Sequence, residues 1–463
     1  MKLYNTITGE KEEVTPLDGK TLKIYVCGPT VYNLIHIGNA RTLVVFDTLR
    51  RYLKYRGQDV FYVQNFTDVD DKIIRKANAT GQTASEVAEA AIADYFIDAE
   101  SLNIIKADVH PKVTETMDEI ISVVQSLVDS GHAYVNSTGV YFKVDSFRNY
   151  GSLSKMPLEA LRDNAGGRIP DGEEKNDPMD FAVWKTAKPG EPMWDSPFGA
   201  GRPGWHIECS AMARRYIGET LDIHGGGADL IFPHHENECA QSECANGKPL
   251  ARMWVHSAML FINNEKMAKS KGNFKLVREI AEEYGGAAIR FMLLSANYRS
   301  QMNFNCDVMD AAKNSLKRIS GSVAALAALD SETDSGDIRP EVAETARVAK
   351  SVFIDAMDDD LNTANGLAAI FDLVRQANTL LSDKLSASER ALLKDTLLEL
   401  TGVLGLDVTT TDEIPSEITL LADKRAEARQ SRNFALADTL KKEILDKGFT
   451  LEDTKQGTII KKK

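Results

Sequence analysis

Cysteine is sparse in this sequence: Cys27, Cys209, Cys239, Cys244 and Cys306 are all there is in 463 residues. An odd number at irregular spacing in a long chain argues against a disulfide framework, leaving metal binding, catalysis or plain burial. No C-x-x-C pair occurs, so spacing alone gives only a partial metal signal. Long apolar runs are absent too, and nothing in the sequence is long enough to span a bilayer. The opening Met1-Lys2-Leu3-Tyr4-Asn5-Thr6 lacks the apolar core of a signal peptide, which makes the cytoplasm the expected location. No internal repeat is visible. What is present, 43% hydrophobic and 27% charged residues, fits a soluble globular protein. The length fits roughly two to four domains.

The net charge of −13 speaks against a nucleic-acid partner at first. The charge is uneven, however. Lys424 to Lys463 holds eleven Lys/Arg and six Asp/Glu, a net of +5 against −18 for the rest. A basic tail on an acidic body is compatible with local RNA contact, although on charge alone a solvated tail is the plainer reading.

Leu22 to Cys27 reads as a short buried strand broken by Gly28-Pro29-Thr30. A helical pattern runs from about Ala40 to Arg56, Gly57 stops it, and Val60 to Asn65 gives a second strand. Strand, helix, strand at this spacing predicts a βαβ unit, the start of a parallel doubly wound sheet. Residues 84–106 and 112–130 show helical periodicity, and Val135 to Val144 predicts a hairpin around Ser137-Thr138-Gly139. Residues 150–204, rich in glycine and proline, read as a loop-rich insertion between two halves of a nucleotide-binding fold. Leu221 to His224 predicts another strand before three glycines, and 233–246 a helix. After Ser300 the pattern is mostly helical, with linkers at Asp330–Asp337 and Val408–Asp412 and a small separate unit at the end.

Two short strings carry chemistry. His36-Ile37-Gly38-Asn39 follows a strand and opens a helix. A helix N-terminus offers unpaired N–H groups and a positive dipole end, suited to the phosphates of ATP. Gly38 permits close approach of a ligand to the backbone, and His36 can donate to a phosphate oxygen; a turn histidine that merely caps the helix is the plainer alternative. Lys266-Met267-Ala268-Lys269-Ser270 places two ammonium groups three residues apart beside Gly272. Mobile lysines can neutralise charge developing on departing pyrophosphate. Together, in this order and separation, the strings resemble the HIGH and KMSKS signatures of class I aminoacyl-tRNA synthetases. Asn39 stands in place of the second histidine, and Ala268 in place of the first serine.

A third constellation concerns metal. His234 and Glu238 are four residues apart, as are His235 and Cys239, so either pair shares a helix face. Either could join cysteine thiolates in a zinc tetrahedron, and spacing does not separate them. Three runs, Tyr25 to Tyr32, Arg202 to Ser210 and Asp222 to Glu238, then give a closer resemblance, to the cysteinyl-tRNA synthetase family, extending over nearly the whole chain.

That resemblance implies zinc held by Cys27, Cys209, His234 and Glu238, with Cys239, Cys244 and Cys306 structural. It implies a cysteine pocket of Gly28, Thr67, Trp205 and His224. It implies ATP contacts at Thr30, His36, Gly38, Asn39, Lys266 and Lys269, with His36, Asn39 and both lysines catalytic and Mg²⁺ accompanying ATP. Arg429, Phe434 and Asp453 become anticodon contacts, Tyr298 to Phe304 a stem-contact region, and Met357 to Thr363 a further family-like run. Cysteine and serine differ only in sulfur against oxygen, too little for an apolar pocket to sort, whereas zinc reads sulfur directly. No editing domain is then needed.

The expected fold is α/β, with a Rossmann-like doubly wound catalytic domain at 1–115 and 203–255 and a connective insertion at 116–202. The lysine loop and stem contact follow at 256–320, a helical bundle at 321–406, and an anticodon-binding domain at 407–463. The expected partners are ATP, L-cysteine and cysteine tRNA, with no membrane and a monomeric chain. A related ligase joining cysteine to an amino-sugar in mycothiol synthesis shares the zinc site and both signatures but lacks the tail. A non-catalytic zinc-containing RNA-binding protein is disfavoured by Lys266 and Lys269.

Overall fold

The computed structural model describes the chain except residues 158–159, 161–173, 267–273, 329–335, 410–415, 432, 455–456 and 463; of Lys266 and most of the last hairpin only the backbone is described. At its centre is a four-stranded sheet in the order Ala251–Ser257, Leu221–Gly227, Thr21–Val26, Asp59–Gln64, with every pair parallel. Such strands are covered on both faces and run apolar throughout, as Ile24, Tyr25, Val26 and Val63 do. All four point their C-terminal ends the same way, where doubly wound sheets bind ligands.

The helix Ile37–Tyr55 makes the first crossover and buries Leu43, Val44, Phe46 and Leu49. Its fit on the sheet depends on Gly225, where a Cβ would stand 2.2 Å from the Phe46 ring. Between the second and third core strands lies a separate antiparallel sheet of Ala133–Asn136, Gly139–Phe142, Phe181–Thr186 and Gly201–Pro203. The expected hairpin is there. The loop-rich reading of 150–204 needs correction, since it holds two strands. Glycine and proline around them hide a buried core of Phe181, Val183 and Trp184, and Pro203 is tolerated because it ends an edge strand.

Helix ends also shift. The helix predicted to reach residue 106 stops at Ser101, where Asn103 takes a left-handed φ of 53°. The helix expected from 112 begins at Met117, after a short 3₁₀ turn at Val113–Glu115. Beyond the core sheet, Leu260–Ile262 pairs in parallel with Met302–Phe304 and antiparallel with Glu265–Lys266; a strand after Ser300 was not expected. Four long helices follow, Cys306–Ala327, Pro340–Asp358, Thr363–Leu381 and Ala387–Val403. They share one continuous apolar core with the helix Ile37–Tyr55.

Fully buried Arg290 ties these parts together, donating to Leu404 O at 2.6 Å, to Leu102 O at 3.0 Å and to the Asp47 carboxylate. The last unit consists of the helices Ser416–Gln430 and Phe434–Asp446 with the hairpin Phe449–Thr454 and Gly457–Lys462. It has its own small core around Ile418, Leu440, Ile444 and Phe449. Among the described residues no helix is long and apolar enough to cross a membrane.

Candidate active site

The site grows from the C-terminal ends of the core strands. Thr21–Val26 runs directly into Cys27, whose amide donates to Gly225 O at 3.0 Å. Gly28 comes next, where any Cβ would stand 1.6 Å from Asn65 O. Its N–H donates to Asn65 Oδ1 at 2.8 Å, so only glycine fits this step. The helix Trp205–Tyr216 brings Cys209, and the turn into Glu236–Asn246 brings His234, His235 and Glu238.

These groups converge. Cys27 Sγ lies 3.5 Å from Cys209 Sγ, 3.6 Å from His234 Nε2 and 3.4 Å from Glu238 Oε1. His234 Nε2 is 3.0 Å from the same Glu238 oxygen. His235 Nε2 also reaches Cys27 Sγ, at 3.3 Å. The ligand atoms of Cys27, His234, His235 and Glu238 all lie within 4.8 Å of one another. Sequence spacing left two helix-face pairs open; the cluster takes Cys27, His234, His235 and Glu238 together and includes neither Cys239 nor the expected Cys209, which touches it through Cys27. Cys239 is buried elsewhere, Cys244 is half-buried, and Cys306 is exposed at the first turn of its helix, so burial is not its role.

The electrostatics of the cluster favour an adjacent positive charge. A hydrogen bond from Cys27 lowers the Cys209 thiol to about 6, while burial and the neighbouring Cys209 push Cys27 up. Burial opposes ionisation of Glu238, yet His224 and His234 together hold it well below the usual carboxylate range. Burial likewise opposes the His234 cation, but Glu238 and Cys209 outweigh it and raise His234 to about 10. Two thiols, an imidazole and a carboxylate, buried and converging, form a donor set suited to a soft divalent metal such as zinc.

Around this cluster the expected pocket residues are close by. His224 is fully buried in the middle of its strand, which continues through the three glycines to Gly227 instead of stopping before them, with Nε2 2.8 Å from Glu238 Oε2 and Nδ1 3.1 Å from Tyr25 O. Trp205, partly open to solvent, stacks on His234 with ring centroids 4.4 Å apart. Thr67 donates from Oγ1 to Glu208 at 3.0 Å, and burial pushes the Glu208 carboxyl up. Thr30 sits beside Thr67 in a parallel bridge.

Sequence reasoning missed a row of supporting histidines. His235 Nδ1 meets His256 Nε2 at 2.8 Å, and His256 Nδ1 meets Thr6 Oγ1 at 2.7 Å. His206 Nδ1 lies 3.0 Å from His234 Nδ1. His256 stands one residue from the C-terminal end of the strand Ala251–Ser257, a position that could have flagged it.

The first of the two short strings meets the chain just beyond the second. His36 caps the helix Ile37–Tyr55: Asn39 N–H donates to His36 Nδ1, and His36 N–H donates to Asn39 Oδ1, both at 3.2 Å. Capping is thus one role of both residues. Just past the second string, Lys275 O accepts from Ile37 N at 3.1 Å, and Phe274 packs edge-on against His36 at 4.8 Å. Lys266 closes the strand Glu265–Lys266. Ala268 and Lys269 lie outside the described residues. In the last unit Arg429 and Phe434 are exposed, Phe434 by 62%, and Asp453 lies on the strand Phe449–Thr454 with its side chain outside the described residues.

Known proteins share this organisation. The family model for the tRNA synthetases class I (C) catalytic domain matches residues 13–314, and the DALR domain matches 352–409. A cysteine–tRNA ligase of Geobacillus sp. (strain WCH70) is 50% identical over 462 residues, covering 99% of this chain and 98% of that protein. One from Caldicellulosiruptor saccharolyticus is 49% identical over 466 residues, covering 100% of both. The solved structure of Mycobacterium tuberculosis methionyl-tRNA synthetase in complex with methionyl-adenylate shares the fold, with a TM-score of 0.60 at 18% identity over 83% of this chain and 89% of that one. The resemblance carried by the motifs is borne out: the chain belongs to the cysteine–tRNA ligase family of class I aminoacyl-tRNA synthetases.

Proposed function

We propose that this chain joins cysteine to cysteine tRNA in two steps. The cysteine carboxylate attacks the α-phosphate of ATP, forming cysteinyl-adenylate as the bond to pyrophosphate breaks. The terminal ribose 2′-hydroxyl of the tRNA then attacks the carbonyl, and AMP leaves. No side chain acts as a covalent nucleophile; positioning and charge stabilisation carry the chemistry.

Thr30, Gly38 and the helix start at His36 and Asn39 receive ATP, which enters with Mg²⁺ on its phosphates. Lys266 and Lys269 neutralise the charge that builds on pyrophosphate. Gly28, Thr67, Trp205 and His224 enclose the amino acid. Cys27, Cys209, His234 and Glu238 would hold zinc, with His235 beside them and engaged by His256. The metal supplies a soft partner that prefers sulfur to oxygen, the distinction between cysteine and serine. Arg429, Phe434 and Asp453 contact the anticodon by stacking and base-edge hydrogen bonds.

In this reading residues 1–115 and 203–255 form the catalytic unit around the insertion 116–202, with the lysine loop and stem contact at 256–320. The bundle at 321–406 and the anticodon unit at 407–463 follow, and the enzyme works as a cytoplasmic monomer.

The observation that carries the proposal is the convergence of two thiols, His234 and Glu238 at the C-terminal end of the parallel sheet. Cysteine-dependent exchange of pyrophosphate into ATP is expected, followed by charging of purified cysteine tRNA. Activation of cysteine with transfer to an amino-sugar and none to tRNA would overturn it.

A further inference from the structure

Tyr298 to Phe304 and Met357 to Thr363 have no part in the chemistry described above, yet in the structure they grip one another. Three consecutive aspartates end the bundle helix Pro340–Asp358. Aspartates at a helix end ordinarily face solvent, but Asp360 is only 1% exposed. Its carboxylate accepts from Tyr298 Oη at 2.7 Å, from Tyr4 N at 2.8 Å and from Arg299 Nε at 2.8 Å. The Arg299 guanidinium is sandwiched further by the Tyr4 ring, 4.3 Å from its centroid. Asp360 and Leu361 hold left-handed φ values of 63° and 48°. Neither is glycine, so this backbone is strained and persists only because surrounding contacts over-determine it.

What the carboxylate holds leads to the adenylation lysines. Tyr298 O accepts from Ala258 N at 2.8 Å, at the entrance to the strand Leu260–Ile262. That strand pairs with Met302–Phe304, Leu260 opposite Met302 and Ile262 opposite Phe304. It then turns at Asn263-Asn264, tied down by Asn263 N–H to Phe304 O at 3.1 Å and Asn264 N–H to Asn303 Oδ1 at 2.7 Å. The chain returns as Glu265–Lys266. From the other side Arg41, in the helix that His36 caps, donates to Met259 O at 2.9 Å and to the carbonyls of Asn297 and Ser300. The turn Asn297–Ser300 is therefore the common mount of the helix that His36 caps and of the strand pair that ends at Lys266, and Asp360 clamps it from the bundle.

We infer that Asp360 is a positioning residue for cysteine activation: by fixing the Tyr298–Arg299 turn it sets the register of the strand on which the Lys266 hairpin is built. This rests on the proposed role of Lys266 and Lys269 at the pyrophosphate.

The test uses the full-length protein. Asp360→Asn keeps the shape and removes the charge; Asp360→Gly relieves the backbone strain and removes the carboxylate; Tyr298→Phe deletes a single hydroxyl and preserves the packing. Lys11→Ala, which loses only the exposed ion pair to Asp359 at 2.6 Å, is the control. Pyrophosphate exchange is normalised to active sites counted by the burst of adenylate formation. In both Asp360 variants kcat is expected to fall about 10- to 100-fold, the usual cost of a misplaced catalytic group. The KM for cysteine stays unchanged, because the cysteine pocket is not touched. Tyr298→Phe shows the same split on a smaller scale, and Lys11→Ala matches the parent. Variants with a lower thermal midpoint but parental kcat per active site would overturn the inference and leave Asp360 a structural clamp. Absence of cysteine-dependent exchange in the parent would instead overturn the proposed function, and this inference with it.

Discussion

The thiol of Cys209 is the group on which the proposed four-ligand zinc assignment turns. A hydrogen bond from Cys27 lowers it to about 6, which favours the thiolate that a metal ligand must be. Five donors nevertheless compete for four tetrahedral positions, because His235 lies as close to Cys27 as any of the others. His235 is engaged on its other nitrogen by His256, which suits a supporting role. Cys209→Ser is therefore expected to lose zinc and cysteine activation together, whereas His235→Ala and Cys239→Ser keep stoichiometric zinc by elemental analysis. Zinc lost in His235→Ala and kept in Cys209→Ser would replace Cys209 by His235 in the ligand set. That Cys27, Cys209, His234 and Glu238 lie together was legible because each sits in a distinctive run of residues. The histidine relay was not, because it is made by contacts across the fold: Thr6 reaches His256 over 250 positions, and no local pattern encodes that.

Among the elements, the last bundle helix shows how local sequence and tertiary contact combine. Ala387–Val403 opens on a capping box in which Glu389 N–H donates to Ser386 Oγ at 3.2 Å and Ser386 N–H donates to Glu389 Oε2 at 2.9 Å. Arg339, from before another helix, donates to the same carboxylate at 2.7 Å and, with the backbone bonds, lowers Glu389 to about 2. A depressed carboxylate contributes stability that is fully present above its unfolded value of 4.5 and is lost as pH falls through about 2. Glu389→Gln should thus lower the thermal midpoint at pH 7. The loss should correspond to about 1 kcal/mol, since Arg339 is open to screening by solvent. The gap from the parent should close between about pH 4.5 and pH 2; a gap independent of pH would assign the effect to packing. Elements with strong periodicity, such as Ile37–Tyr55 and the bundle helices, were readable from the sequence. Short strands such as Phe181–Thr186 and Met302–Phe304 were not: unlike the equally short apolar run Thr21–Val26, they stand among glycine, proline and polar residues that read as loop, and their identity comes from partners far along the chain.

At the scale of the whole molecule, the last unit stands apart energetically. Its core of Ile418, Leu440, Ile444 and Phe449 is distinct from the two larger cores of the body. A chain ending at Thr409 is expected to remain folded and to keep cysteine-dependent pyrophosphate exchange. Its kcat/KM for tRNA charging should fall about tenfold or more, as each stacked base contributes about 1–3 kcal/mol. Loss of exchange on truncation would show that the unit supports the active site itself. The order of strands in the central sheet has a further consequence for how the protein is made. Thr21–Val26 is flanked by Asp59–Gln64 on one side and by Leu221–Gly227 on the other. A ribosome adding about 5–20 residues per second delivers the first neighbour within seconds and the second only about 200 residues later. For tens of seconds the nascent chain therefore carries Ile24, Tyr25, Val26 and the thiol of Cys27 on an unpaired edge, an open template for aggregation. The N-terminal strand pairs early with Glu10–Glu13, and Lys2 bridges to Asp359 as well. The central sheet, with the cluster at its C-terminal ends, is complete only once Leu221–Gly227 and Ala251–Ser257 have been made.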